Sequence, residues 1–284
     1  MSQPTIARLG HGGVALLLAT CPFSSVAAQQ ADDLLRERRE YTAWLATAPL
    51  SPYALLRIQP VDDGISIGAE PSDIPLPGIG RGMAREEGTL VVFHRDSNRL
   101  VLPRGRPVLV GAFSLVANGP PGRTVIAAFG SVRRFTPPTW YAPAPSLDLA
   151  LALQPPERRD AFRILGPDGT DIEAHEAGFV QPVLAGGSAR LRVYRVPGDA
   201  ADETELLIYF RDATSGRGSY PAGRFVTLAP AGGGRYRLDF NRARNPFCAY
   251  SSAFPCPAPW PGNTLPQPIE AGEQYDGGDP RPGP

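Results

Sequence analysis

The sequence contains no lysine, and all 28 of its basic residues are arginine. That absence excludes a Schiff-base lysine, a pyridoxal phosphate anchor, a Walker phosphate loop and a Ser–Lys dyad. A genome rich in G and C accounts for it, and also for the abundance of Gly and Pro, 31 and 33 residues. Histidine is nearly as scarce, with only His94 and His175 beyond the N-terminal leader. Any Ser-His or Cys-His mechanism must use one of them. His94 follows the apolar run V-V-F and reads as a strand end. His175 lies in a charged stretch, residues 171–176, that reads as a surface loop. Neither adjoins a motif such as G-x-S-x-G, so both read as structural or solvated. Long apolar runs are also missing, since residues 14–19 fall well short of the about 20 needed to span a bilayer. Charge of one sign does not dominate either: 28 acidic residues balance the basic ones. With no basic stripe or polybasic patch, neither nucleic acid nor a charged membrane surface is expected as a partner.

What is present begins with a leader. Arg8, the apolar stretch 14–19 and the small residues Val26, Ala27 and Ala28 before Gln29 have the pattern of an export signal. Residues 1–28 are therefore expected to be removed and the mature protein to be periplasmic or secreted. A second reading makes Leu18-Ala19-Thr20-Cys21 a lipoprotein box with Cys21 acylated. Thr20 is bulkier than the usual residue there and Pro22 is an awkward follower, so the first reading is preferred.

Residues 31–45 repeat with helical period. Leu34, Arg38, Tyr41 and Leu45 share one face, Leu35 and Trp44 widen it, and Arg36, Glu37, Arg39 and Glu40 make the wet side. A helix is placed at 29–48, capped by Asp32 or Asp33 and stopped by Pro49 and Pro52. Its face is expected to dock on the body of the protein. Beyond it, short strands separated by Gly, Pro, Asn and Asp are expected at 55–58, 64–67, 89–94, 99–101, 108–115 and 124–128. More follow at 190–196, 205–210, 224–228 and 235–240, the last pair joined by a turn at Ala231-Gly232-Gly233-Gly234. The fold class is mainly β, a sandwich or barrel-like sheets with one N-terminal helix, in two candidate subdomains, 49–135 and 136–273. The Pro-rich stretch 137–145 reads as a linker or rigid crossing between them. The tail, 274–284, is expected to be disordered.

Residues 65–76, I-S-I-G-A-E-P-S-D-I-P-L, resemble the start of a forkhead-associated β-sandwich, a family that binds phosphothreonine peptides. Ala69, Gly80 and Met83 stand where that family has its phosphate-touching Arg, Ser and His. The resemblance therefore implies a scaffold without the phosphate site. The last 70 or so residues resemble more specifically the bacterial domain-of-unknown-function family numbered 1684. Its motifs are F-R-D-x-T-S-G, G-R, D-F-N-R with N-P and C-A-Y, C-P to N-x-L, and A-G-E. They stand here at 210–216, 223–224, 239–250, 256–265 and 271–273. The chain departs from the pattern at Arg244, usually aromatic, and at Ala258, Trp260 and Gly262. No activity comes with the family, so the resemblance implies a site and not a reaction.

Two readings of this polar block remain open. In the first, Asp212, Asp239 and Glu273 hold Arg211, Arg224 and Arg242 in an internal ion-pair and turn network, with Asn241 and Asn245 as turn and cap residues. In the second, Arg211, Arg224 and Arg242 converge on a small anionic ligand, joined by Asp212, Tyr220, Asn241, Asn245 and Tyr250. Asp239 and Glu273 are also the candidate general bases of a rival reading, a hydrolase with arginine stabilising developing charge. Cys248 and Cys256 are expected to form a disulfide, since the chain is read as exported. No metal site and no cofactor is expected, because the spacing lacks a C-x-x-C knuckle and histidine is scarce. The leading expectation is a non-enzymatic binding or structural module of the cell envelope.

Overall fold

The computed structural model describes residues 23–132, 134–198, 203–258 and 260–277, with side chains from residue 28 onward. The expected leader core, Cys21 and the end of the tail, 278–284, lie outside the described residues.

Helix α1 spans Phe23–Thr47. It starts earlier than expected, because Ser-Ser-Val-Ala-Ala-Gln-Gln contains no breaker and Ala and Gln are good helix formers. Asp32 and Asp33 therefore lie inside the helix and cap nothing; Asp33 instead pairs with Arg36 at 2.8 Å, one turn on. The buried stripe is Leu34, Arg38, Tyr41 and Leu45, as the period requires. Leu35 does not widen it, being 42% exposed.

Nine strands follow in the first half: β1 Leu55–Pro60, β2 Ile65–Gly68, β3 Ile74–Pro75, β4 Gly82–Glu87, β5 Leu90–Arg95, β6 Asn98–Leu102, β7 Pro107–Val110, β8 Phe113–Asn118 and β9 Val125–Phe129. They form two sheets, ordered β1-β9-β8-β7 and β3-β2-β4-β5-β6. Alternate side chains from both sheets meet in one core. Ile65, Ile67, Ala84, Val91, Phe93 and Leu102 come from the five-stranded sheet, and Val110, Leu115, Ala117, Ile126 and Ala128 from the other. This is a sandwich. The expected single strand at 108–115 is instead the hairpin β7–β8, because Gly111 takes a left-handed φ of 63° between Val110 and Phe113.

The second half contains β10 Asp148–Ala152, β11 Phe162–Leu165, β12 Asp171–Val180, β13 Val183–Leu184, β14 Gly187–Ser188, β15 Leu191–Pro197, β16 Thr204–Phe210, β17 Arg224–Gly232 and β18 Arg235–Asp239. Seven of these make one antiparallel sheet, ordered β10-β18-β17-β16-β15-β12-β11. Among the described residues the sheets are open, so the barrel-like alternative gives way to a sandwich beside a broad open sheet. One face of that sheet buries Val193, Ile208, Phe210, Val226, Leu228 and Leu238 under the C-terminal residues Leu265, Ile269 and Ala271. The other buries Tyr194, Leu207, Tyr209 and Phe225 under Trp260.

His175 is on strand β12, not in a loop: Ala174, Glu176, Gly178 and Val180 point inward while Glu173 and His175 face water. A register shift between Glu176 and Gly178 marks a bulge in that strand. Charged residues on the wet face hid the strand's period, and the same holds for β4, whose outward residues include Arg85. His94 lies near the end of β5, as expected, and shares a 2.6 Å hydrogen bond with Glu87, which pulls that carboxyl down to about 2. The two halves meet where Val116, Ala127 and Phe129 on the outer face of the four-stranded sheet pack against Tyr220, Cys248 and Phe254. The start of the tail is ordered: the Gln274 and Tyr275 amides donate to the Thr139 and Gly218 carbonyls at 2.9 and 3.0 Å.

Candidate functional site

Arg224 opens β17 opposite Phe210, the last residue of β16. Its side chain is 0% exposed. Nη2 donates to the Ile269 carbonyl at 2.8 Å and to Asp212 Oδ1 at 3.4 Å. Nη1 donates to the carbonyls of Ala271 and of Glu273, the latter at 3.2 Å. Every second carbonyl of residues 269–273 is thus held by one planar fork, as a neighbouring strand would hold a ladder. Burial lowers the guanidinium's pKa, and the Asp212 charge opposes that shift. The segment can come this close because Gly272, at φ 78°, has no side chain: a Cβ there would lie 2.6 Å from the Ala243 carbonyl oxygen.

Asp212 is filled from all sides. Its Oδ2 accepts from the Ile269 amide at 2.7 Å and the Thr214 hydroxyl at 2.8 Å, and its Oδ1 from the Ser215 hydroxyl at 3.2 Å. The residues of R-D-A-T-S therefore build a turn that grips the C-terminal segment. Asp239 plays the same part at the end of β18, where it caps a 3-10 turn, Phe240–Arg242. It accepts from the Asn241 amide at 3.0 Å, from Asn241 Nδ2 at 2.8 Å, from Arg242 Nε at 2.9 Å and from Arg237 Nη2 at 3.1 Å. Burial raises the Asp239 pKa, against the lowering effect of the Asn241 hydrogen bond. Asn241 reaches further, donating to and accepting from the backbone of Ala144, so it fixes the Pro-rich crossing.

Glu273 is 1% exposed. Its Oε1 accepts from the Tyr250 hydroxyl at 2.6 Å and its Oε2 from the Asn245 amide at 2.9 Å. Burial outweighs these bonds and the nearby Arg244 and Arg224 charges, and raises its pKa from 4.5 to about 7. The Tyr250 hydroxyl shares a 3.1 Å hydrogen bond with that of Tyr41 on α1, and burial pushes both phenols up. Arg38 completes the docking of α1: its guanidinium donates to the Tyr141 carbonyl at 3.0 Å and the Asn241 carbonyl at 3.2 Å, over the Trp140 ring.

The loop between Cys248 and Cys256 is closed by the expected disulfide, with Cα atoms 5.5 Å apart. Tyr220 donates to the Cys248 carbonyl at 3.2 Å, and burial raises its phenol to about 12. Further on, Asn263 substitutes for a ladder. The β15–β16 pairing of Tyr194 with Leu207 would next bring Arg192 opposite Tyr209. There the strands are bridged by Asn263, which accepts from the Arg192 amide at 2.8 Å and donates to the Arg192 and Tyr209 carbonyls at 3.0 Å each.

The structure thus brings Arg224, Asp212 and Glu273 together, and separately Arg242, Asp239 and Asn241. Arg242 also pairs with Glu37 of α1. Arg211 joins the block through its backbone, which exchanges hydrogen bonds with Asn263 and Leu265, and its Nε has no partner. Each of the three arginines has its own surroundings. Sequence reasoning gave no role to Tyr141 or Asn263, and it placed Arg38 and Tyr41 on the docking face of α1 without naming what they meet. Arg38 did carry a signal, because an arginine on the buried stripe of a helix demands acceptors in the body it docks on. Among the described residues no group of three His, Cys, Asp or Glu could hold a metal, and no helix is long and apolar enough to cross a membrane.

Fold and site define a class: a mainly β protein of several separate sheets whose C-terminal region is organised around buried arginine and carboxylate clamps. The sequence family described as "Protein of unknown function (DUF1684)" matches residues 133–274, half of the chain, and the chain belongs to that family. Among solved structures, the chain is similar to the solution NMR structure of an uncharacterized protein from gene locus rrnAC0354 of Haloarcula marismortui. The two are 31% identical over 50% of this chain and 78% of that one, with a TM-score of 0.43. No curated protein matches.

Proposed function

We propose that the chain is a non-enzymatic structural and binding module of the cell envelope, exported by its N-terminal leader. The observation that carries the structural part is the fully buried Arg224, whose fork is occupied by the carbonyls of Ile269, Ala271 and Glu273 and by Asp212. A receptor for a free anion keeps its guanidinium donors for the ligand; this one uses them on its own backbone. Export is supported by the Arg8 and apolar leader pattern and by the Cys248–Cys256 disulfide, a bond suited to an oxidising compartment. In the binding part of this reading a small carboxylate or phosphate meets the half-buried Arg211, whose side chain, unlike those of Arg224 and Arg242, pairs with no carboxylate among the described residues.

A second reading, a hydrolase with Glu273 as general base, has one observation in its favour: a carboxyl raised to about 7 is poised for proton transfer at neutral pH. Its burial at 1% exposure and its two filled oxygens count against it.

Native mass spectrometry of protein purified from its own host, beside a denatured and unreduced sample, tests the proposal. The structural reading expects the bare polypeptide, lighter by the two thiol hydrogens. A stoichiometric small acid released on denaturation and lost in Arg211→Ala would establish the binding part. The same acid lost only in Glu273→Gln, with turnover of ester substrates, would overturn the proposal for the hydrolase.

A further inference from the structure

The two ends of the Cys248–Cys256 bond are unlike. Cys248 is 2% exposed and lies in the cluster that includes Val116, Ala127 and Phe129 of the sandwich, whereas Cys256 is exposed. Pro255 and Pro257 flank Cys256. Proline has no amide hydrogen, so neither can tie this stretch to a ladder. One further group faces both sulfurs. The hydroxyl of the buried Tyr220 lies 3.4 Å from Cys248 Sγ and 3.3 Å from Cys256 Sγ. Disulfide sulfurs have no hydrogen to give, so the phenol is the donor in both contacts. Its pKa, raised by burial to about 12, means that it keeps its proton and remains a donor.

The ring that this bond closes is wedged between two elements. Next to Cys248, the Phe247 amide donates to the Pro167 carbonyl at 2.8 Å. Next to Cys256, Pro255 crowds Gly169, where a Cβ would lie 2.7 Å from the Pro255 carbonyl oxygen. Both contacts fall on the turn between β11 and β12, while Phe254 of the same ring belongs to the cluster on the sandwich. We propose that Cys256 is a thiol–disulfide exchange site open to a small external thiol, and that breaking its bond to Cys248 loosens the ring from the β11–β12 turn and the sandwich.

Access decides which sulfur is attacked. The incoming thiolate reaches Cys256 Sγ from the solvent side and forms a mixed disulfide there. The Cys248–Cys256 bond breaks, and its electron pair leaves on Cys248 Sγ. Burial by itself disfavours a thiolate at Cys248. The Tyr220 hydroxyl offsets that by donating a hydrogen bond to it until it takes a proton from water, replacing the one the incoming thiol gave up. A second thiolate then attacks the small thiol's own sulfur in the mixed disulfide and frees Cys256 as a thiolate, which is protonated in turn. Two external thiols are thereby oxidised to one disulfide, and the protein's disulfide is reduced to two thiols. The inference goes beyond the structural role proposed above, which asks only that the bond stay closed.

Treating the folded protein with reduced glutathione, alkylating with N-ethylmaleimide and mapping the peptides reads each cysteine separately. Glutathione is expected on Cys256 and N-ethylmaleimide on Cys248. Glutathione on Cys248 instead, or no reaction in a time that fully reduces the urea-unfolded chain, overturns the site. Tyr220→Phe keeps the ring and removes the donor, so reduction of the folded variant should slow roughly tenfold. A rate equal to the wild type or faster overturns the part given to the hydroxyl. Hydrogen exchange of the reduced and oxidised wild type tests the loosening. The Phe247 amide should lose about tenfold or more in protection on reduction, while β5 and β16 keep theirs. Equal protection of Phe247 in both forms overturns it.

Discussion

Arg224 Nη2 lies 3.4 Å from Asp212 Oδ1, and both side chains are almost wholly out of water. One comes from the start of β17 and the other from the turn that follows β16, so the pair closes the end of the central hairpin. Around it, the carbonyls of residues 269, 271 and 273 are drawn in. A buried pair of this kind adds little over a well-packed apolar substitute, but removing one partner strands the other. Its use here is to fix where the C-terminal segment lies across the sheet.

Glu273 should make the protein less stable as pH rises. Its pKa is raised on folding, from 4.5 to about 7, so its contribution is fully present below 4.5 and is lost as pH climbs through about 7. The total is about 3 kcal/mol at the tabulated energy per pH unit. Urea unfolding of wild type and Glu273→Gln across that range checks it: the wild-type curve should fall and the variant lack that fall.

Glycine substitutions separate crowding from backbone strain. Gly272→Ala puts a Cβ 2.6 Å from the Ala243 carbonyl oxygen and 2.8 Å from that of Phe240, at φ 78°, against backbone that cannot yield. Gly216→Ala has a similar φ, 80°, with nothing within 4 Å. The second should cost about 1 kcal/mol and the first several times more. Thermal melting of the two variants side by side gives the comparison.

Asn263→Ala should unzip the sheet locally. The Arg192 amide and the Arg192 and Tyr209 carbonyls would each lose a partner in a largely dry site, at a cost of about 2 to 4 kcal/mol. Exchange at the Arg192 amide should rise while the sandwich core, at Ile67 and Leu115, stays protected.

Opening the disulfide should release the loop that packs on the sandwich. Closing so short a ring stabilises by about 2.5 kcal/mol in the chain-entropy picture. Cys248→Ser with Cys256→Ser should lower stability by that order. Reductant should then have no further effect on the variant, although it weakens the wild type.

Much of this fold was legible in the residues. The helix face through Leu34, Arg38, Tyr41 and Leu45 followed from spacing alone, and the β17–β18 hairpin from alternation about the glycine turn. The disulfide followed from the expectation of export and from two cysteines close together in the sequence. What stayed hidden had physical causes. β12 was masked by Glu173 and His175 on its wet face and by Glu176, an acid buried because Arg192 answers it at 3.4 Å. The start of α1 was misplaced because Asp32 and Asp33 look like caps, while nothing upstream breaks the helix. Site chemistry was legible as a list of residues and not as an arrangement. Arg224 and Arg242 sit in one motif block, but which carboxylate each meets depends on contacts across dozens of residues, such as Arg242 with Glu37.

Thermal unfolding of Arg224→Ala, followed by circular dichroism beside the wild type, tests the central claim that the block is an internal framework. Leaving Asp212 and three backbone carbonyls unpaired in a dry site should remove about 3 to 5 kcal/mol and lower the melting temperature by many degrees. A variant that melts with the wild type would contradict the claim, and would return Arg224 to the role of a guanidinium held ready for a ligand.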